Sequence, residues 1–252
     1  KNKKSLTEDQ VGMLDWVEIK NVDLIMANAT PALQACANST LTIPILGTSV
    51  TEYGVALSIK DFDGTVGGNV SGTSDLAPLD GQANMVTELF PEAKKVGLLF
   101  CSAEANSIYQ IDTVEGFLKE KGLSTEKISF ADSNELQSVL SGKVSNLDVL
   151  YVPTDNVCAD NVSVIDAICR PIKLPVICGE ENLCKGCGVA TLSIDYFNLG
   201  KKTGQMAVEI LKDGKDISKM PIAYDENPVK KFNKTICEEL GIPAPEGYVE
   251  IA

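Results

Sequence analysis

The chain has 252 residues and a formal net charge of −13 at pH 7, with one arginine (Arg170), no histidine and eight cysteines. That balance argues against a nucleic-acid partner, which calls for a basic patch, and no apolar stretch approaches the roughly 20 residues of a membrane span. Without histidine, Ser-His and Cys-His nucleophiles and the commonest zinc ligand are excluded in cis.

Short apolar runs alternate with amphipathic segments, the pattern of a parallel α/β sheet. Residues 1–20 match only the helix expected at 133–144, so the first half lacks a leading β-α-β that the second half has, and the chain reads as trimmed at its N-terminus. Strands are expected over 22–27, 43–46, 55–58 and 69–73, then over 96–100, 125–130, 149–152, 176–178 and 189–194. Helices are expected over 31–37, 81–89, 107–121, 133–144, 162–169 and 199–212, with Pro31 suited to a first helical turn. The glycine-rich DGTVGGN (63–69) precedes a strand, fails the context of a phosphate loop and reads as a flexible turn. CKGC (184–187) lacks a second CxxC and reads as a turn with spare thiols, while the other cysteines sit in apolar runs as reduced core residues. No cofactor, metal or catalytic residue is expected.

The chain repeats itself. NVDLIMANATPAL (21–33) is echoed by NLDVLYVPTDNV (146–157), LTIPILGTS (41–49) by IKLPVICGE (172–180), and GVALSI (54–59) by GVATLSI (188–194). The spacing exceeds that of solenoid repeats and implies two related lobes. SGTSD ends at Asp75 and TLSID at Asp195, each followed by a helix that is expected to pack on the other lobe. A third crossing is expected within 220–232. The expected division is 1–74 plus 196–222 for one lobe, and 75–195 plus 223–252 for the other.

Ligands of open α/β sheets bind beyond the carboxyl ends of the strands. Four turns are expected there: NATPA (28–32), GTSVTEYG (47–54), SAEANS (102–107) and PTDN (153–156). Their helix N-termini and hydroxyls suit a carboxylate. Glu104, Asp155 and Glu180 at turns, with Asp75 and Asp195 at crossings, suit an ammonium. A zwitterion such as an amino acid meets both needs. Taken singly, each Thr, Ser or Asn is explained by N-capping; their convergence favours binding.

ATPA (29–32), GTSDL (72–76), EANS (104–107), YVPTDN (151–156) and GVATLSIDYFNLGKKTGQMAVEIL (188–211) resemble ABC-transporter substrate-binding proteins of the tryptophan/tyrosine-binding type. The resemblance covers nearly the whole chain. It implies a type I periplasmic-binding-protein fold, in which two Rossmann-like lobes with parallel sheets are joined by three hinge crossings. It further implies an extracytoplasmic, lipid-anchored monomer that closes on a small molecule and delivers it to a membrane permease and ATPase. On this resemblance the ligand carboxylate meets Thr30, Ala32, Thr48 and Ser49, and its ammonium meets Asp195 or Glu180. Asn106, Thr154, Asp155 and Asn156 fill second-lobe positions beside Glu104 and Ser107, and Asp75 lies at a hinge. Signal peptide, lipid-attachment cysteine and opening β-α unit of the family do not occur in this sequence. Tyr53, Tyr109, Tyr196 and Phe197 are candidates for an aromatic wall.

Branched aliphatic amino acids or a small heterocycle fit the same polar logic. Two further classes share the fold: the sensor domain of a lactose-repressor-like regulator, and an α/β enzyme using Asp75, Glu104 and Asp155. The acidic balance and missing DNA-binding segment argue against the first, and the absence of a catalytic spacing against the second.

Overall fold

The structure, a computed structural model, describes residues 22–251. The expected likeness of residues 1–20 to a helix lies outside the described residues. The chain divides into two compact units, Lys1–Leu76 with Asp195–Glu226 and Ala77–Ile194 with Asn227–Ala252.

In unit 1, strands β1 (Ile25–Asn28), β2 (Ile45–Val50) and β3 (Val70–Ser74) form a parallel sheet in the order β1-β2-β3. Helix α1 (Thr30–Ser39) follows β1, and helix α9 (Tyr196–Leu211) packs on β2 and β3. Because successive strand residues point to opposite faces, Ile45 joins the cluster of Leu33, Cys36 and Val70, while Leu46 joins Met206 and Met220. Both are fully buried, and each such burial contributes about 1.5–3 kcal/mol. A two-sided core of this kind is what makes β2 read as a continuous apolar run.

One expectation fails here. Residues 55–58 are not a strand, because Tyr53–Leu57 form helix α2. The Glu52 carboxylate accepts from the N–H groups of Gly54 and Val55, which starts a helical turn. Tyr53 then inserts into the core, 1% exposed, and its hydroxyl donates to the Thr73 carbonyl at 3.1 Å. The echo between GVALSI and GVATLSI therefore joins a helix to a strand, whereas the other two echoes pair β1 with β6 and β2 with β7.

Unit 2 holds β4 (Lys95–Cys101), β5 (Ser124–Phe130), β6 (Val149–Val152), β7 (Val176–Cys178), β8 (Ala190–Ser193), β9 (Val229–Phe232) and β10 (Val249–Glu250). Their order is β10-β9-β8-β7-β6-β4-β5, parallel except for the antiparallel pair β8–β9. The segment VKKF (229–232) had been expected only as part of a crossing. Helices α3 (Leu79–Leu89), α4 (Ala105–Glu120), α5 (Ser133–Ser141), α6 (Asn156–Asp160), α7 (Val162–Cys169), α8 (Glu181–Cys187) and α10 (Lys234–Leu240) complete the unit. CKGC lies in α8 rather than in a turn. Cys184 and Cys187 pack with Cys158, Cys169 and Cys178 in one core cluster, all of them free thiols. Burial pushes the Cys178 thiol up, helped by hydrogen bonds with Cys184 and Cys187. Among the described residues no group of His, Cys, Asp or Glu has the arrangement of a metal site, and no helix is long and apolar enough to cross a membrane.

Candidate functional site

Parallel strands send their loops to one edge, so the carboxyl ends of β1, β2 and β3 gather Asn28–Ala32, Thr48–Thr51 and Asp75 in unit 1. Asn28 stands in register with Thr48, and the Ala29 N–H donates to the Thr48 carbonyl at 3.0 Å. Two residues here hold backbones that L-amino acids avoid: Ala29 at φ 70°, ψ 163° and Ser49 at φ 52°. Each costs on the order of 1–3 kcal/mol, and such strain gathers where a ligand or a mechanism needs it.

The strain at Ala29 starts α1 without a cap. Alanine has no acceptor, and no side chain caps this N-terminus. The first-turn N–H groups of Thr30 and Ala32 therefore have no intrahelical partner, and Pro31 between them has no N–H at all. The helices α2, α5, α6, α8, α9 and α10 are capped by Glu52, Asp132, Asp155, Glu180, Asp195 and Asn233, whereas α3, α4 and α7, like α1, start without a side-chain cap. Positive N-terminal dipole and free N–H groups together make an anion seat.

Beside it, three threonine hydroxyls meet. Thr203 lies 2.8 Å from Thr73 and 3.1 Å from Thr48, and Thr73 donates to Thr48 at 3.4 Å. Thr73 and Thr203 are fully buried, so they fix the half-buried Thr48 from beneath. Sequence reasoning missed Thr73 and Thr203. Residues 155 positions apart carry no local sign that they will touch.

The carboxylates divide unevenly. Asp195 is exposed and caps α9, accepting from the Asn198 N–H at 3.0 Å and its side-chain amide at 2.8 Å. Asp75 is 4% exposed; its Oδ2 accepts from the Tyr196 hydroxyl at 3.1 Å and its Oδ1 has no hydrogen-bond partner. Burial raises the Asp75 pKa, against the opposing pull of the Thr51 and Tyr196 side chains. Of the aromatic candidates, Tyr53 belongs to the core, Tyr196 is tied to Asp75, Tyr109 is half-buried on α4, and Phe197 is 80% exposed.

In unit 2 the expected residues at the ends of β4, β6 and β7 are engaged with one another. Glu104 accepts from the Asn156 N–H at 3.1 Å, its side-chain amide at 2.7 Å and the Val157 N–H at 3.0 Å, anchoring the start of α6. Asp155 accepts from the N–H groups of Cys101 at 2.7 Å and Cys158 at 2.8 Å. Burial, then the Asp155 charge, raises the Glu104 pKa. Glu180 caps α8 through the N–H groups of Asn182 and Leu183. Asn106 donates to Glu104 and to the Thr154 carbonyl, leaving its own buried Oδ1 unpartnered. Ser107 is fully buried beside it, its N–H donating to the Glu104 carbonyl. Gln82, which the sequence did not single out, bridges the Tyr151 hydroxyl, the Gly179 carbonyl and the Leu192 carbonyl.

Unit 1 thus brings together Thr30, Ala32, Thr48, Ser49 and Asp75 at one sheet edge, with Asp195 held apart as a cap. Unit 2 brings together Glu104, Asn106, Ser107, Thr154, Asp155 and Asn156, with Glu180 held at α8.

The family model described as ABC transporter substrate binding protein matches residues 1–252. The chain is similar to a tyrosine-binding protein of Clostridioides difficile (strain R20291), 36% identical over 208 residues, which make up 82% of this chain and 60% of that relative. The match therefore spans less than two thirds of the relative's length. Among solved structures, the chain is similar to a domain from Streptococcus pneumonia in complex with L-Trp, at 29% identity and a TM-score of 0.90, covering 96% of this chain and 85% of that one. A conserved domain protein from Vibrio cholerae O1 biovar El Tor gives 26% identity and a TM-score of 0.90, covering 96% and 82%. These likenesses carry the expected α/β fold with its predominantly parallel sheets.

Proposed function

The chain belongs to the ABC transporter substrate-binding protein family, and from that premise we propose that it captures an aromatic amino acid such as tyrosine, tryptophan or phenylalanine. In this reading the protein is an extracytoplasmic, lipid-anchored receptor, monomeric, that binds its ligand without turning it over. The two units close on the ligand as a hinge, and the loaded protein presents it to a membrane permease driven by an ATPase. Family membership sets aside the transcription-regulator reading, which rested on the shared fold alone.

The observation that carries the amino-acid reading is the uncapped, strained start of α1 beside Thr48 and Ser49. None of residues 28–32, 48–51 and 75 at this edge is a Lys or Arg that would give a carboxylate a charged seat. Free N–H groups of Thr30 and Ala32 and the hydroxyls of Thr48 and Ser49 offer it a seat without a counter-charge. The similarity to a tyrosine-binding protein and to a domain holding L-Trp supports an aromatic side chain over an aliphatic one.

Thermal unfolding against the common amino acids tests this. A ligand at a hundredfold excess over its Kd adds about 2.7 kcal/mol, which raises Tm by roughly 5–10 °C for a protein of this size. A shift confined to tyrosine, tryptophan or phenylalanine is expected. A cooperative transition that no amino acid moves refutes the reading.

A further inference from the structure

The five acids nominated by the sequence differ in what their oxygens already do. Glu104 holds the start of α6, Asp155 bonds the Cys101 and Cys158 N–H groups, Glu180 caps α8, and Asp195 caps α9. A carboxylate has about four acceptor sites, so one engaged by two or more N–H donors has lost half of them or more to the fold. Asp75 is the exception. It sits one residue past β3, 4% exposed, with a single bond from Tyr196 to Oδ2 and none to Oδ1. The Thr51 hydroxyl stands near the carboxylate without meeting hydrogen-bond geometry at Oδ1. No Lys or Arg among the described residues forms an ion pair with Asp75.

A buried carboxylate without a cation or a full set of donors is destabilising, so its presence in a strand-end position calls for a role. An ammonium group has three donors and one positive charge, which is what Oδ1 and the uncompensated carboxylate lack. Position agrees. Ser74 stands in register with Val50, and the Asp75 N–H donates to the Val50 carbonyl, which places Asp75 beside the strand end that carries Thr48 and Ser49. Neighbouring strands lie about 4.8 Å apart, a span over which the carboxylate and ammonium of one α-amino acid can each find a receptor.

Building on the amino-acid reading above, we propose that Asp75 is the acceptor for the ligand's ammonium group, and that Tyr196 is a positioning residue that orients the carboxylate through Oδ2. This replaces Asp195 and Glu180 in that role. Unit 1 alone then carries the receptors for both charged groups of the ligand.

The experiment is calorimetry with four ligands, L-tyrosine, L-tryptophan and their counterparts lacking the amino group, on the wild-type chain and on Asp75→Asn and Tyr196→Phe. Wild type binding an aromatic amino acid establishes the starting reading; no binding by wild type refutes that reading, and the ammonium assignment with it. With wild type binding, Asp75→Asn is expected to lose about a hundredfold or more in affinity for the amino acids, and no more than about threefold for the deaminated counterparts. Asp75→Asn binding the amino acids as wild type does overturns the assignment while leaving the amino-acid reading intact. Tyr196→Phe keeps the ring and removes only the hydroxyl, so it serves if the asparagine variant does not fold. Its loss is expected to fall on the amino acids alone; a loss equal for both ligand types overturns the positioning role. Asp195→Asn, expected to bind within threefold of wild type, separates Asp75 from its competitor, and a hundredfold loss there overturns the proposal.

Discussion

Gly72 lies on β3 at φ 148°, directly beside Gly47 of β2. A Cβ at position 72 would stand 2.1 Å from the Gly47 carbonyl oxygen, 2.6 Å from its nitrogen and 2.4 Å from the Tyr53 hydroxyl. Two of these are backbone atoms of a neighbouring strand held by the parallel ladder, so the strand pair itself has to part. Gly72→Ala combines backbone strain of about 1–3 kcal/mol with overpacking of about 1–3 kcal/mol. A loss of about 3 kcal/mol or more is expected, which lowers Tm by about 6–12 °C. Displacing Tyr53 also disturbs the Thr73 carbonyl that its hydroxyl engages and, next to it, the Thr48–Thr73–Thr203 contact, so amino-acid affinity is expected to fall as well. Differential scanning calorimetry reads the first effect and titration the second. Gly116→Ala is the control, because Gly116 is exposed on α4 and a Cβ there meets nothing within 4 Å. Alanine in a helix interior is favoured over glycine by about 0.5–1 kcal/mol, so this variant is expected to gain stability. If Gly72→Ala melts within about 2 °C of wild type, the close-packed β2–β3 crossing over Tyr53 is wrong.

Two further outcomes are expected. Burial raises the Asp75 pKa in the folded chain, so its contribution is fully present below the unfolded carboxylate value of about 3.9 and is lost as pH rises through the folded value. Asp75→Asn cannot ionise, so in urea melts its stability relative to wild type should grow as pH rises from about 3.9 through the folded value and level off above it; parallel pH profiles would contradict the buried, uncompensated carboxylate. All eight cysteines are buried and free, and burial pushes Cys169 up to about 12 and Cys237 up to about 11. Ellman's reagent at pH 8 should therefore find eight thiols after denaturation but almost none in the native protein. Two or more fast-reacting native thiols would show that the α8 cluster is open to solvent.

Much of the fold was legible because it is written in local periodicity. Runs such as 149–152 and 176–178, apolar on both faces, announce central strands of a parallel sheet, and the echoes 21–33/146–157 and 41–49/172–180 report one supersecondary unit used twice. The turns at the carboxyl ends of those strands followed from the same logic, which is why Asp75, Glu104 and Asp155 could be nominated from the residues, whereas Thr30 and Thr48 were named by the family resemblance. Residues 55–58 misled because GVALSI has a strand's composition. The Glu52 carboxylate, capping two N–H groups just downstream, and the burial of Tyr53 decided for a helix instead.

What the sequence determined, then, was the set of elements and the edge at which polar residues collect, since both depend on interactions between residues a few positions apart. Which acid is free to meet a cation was decided only in three dimensions. Asp195 and Glu180 are no less acidic than Asp75, and each begins a helix that the sequence could have shown it capping. The bond between Asp75 and Tyr196 spans 121 positions, and the contact of Thr48 with Thr203 spans 155. Such pairs are selected by the packing of α9 against β2 and β3, because a buried polar group has to find its partner among whatever the folded chain brings near.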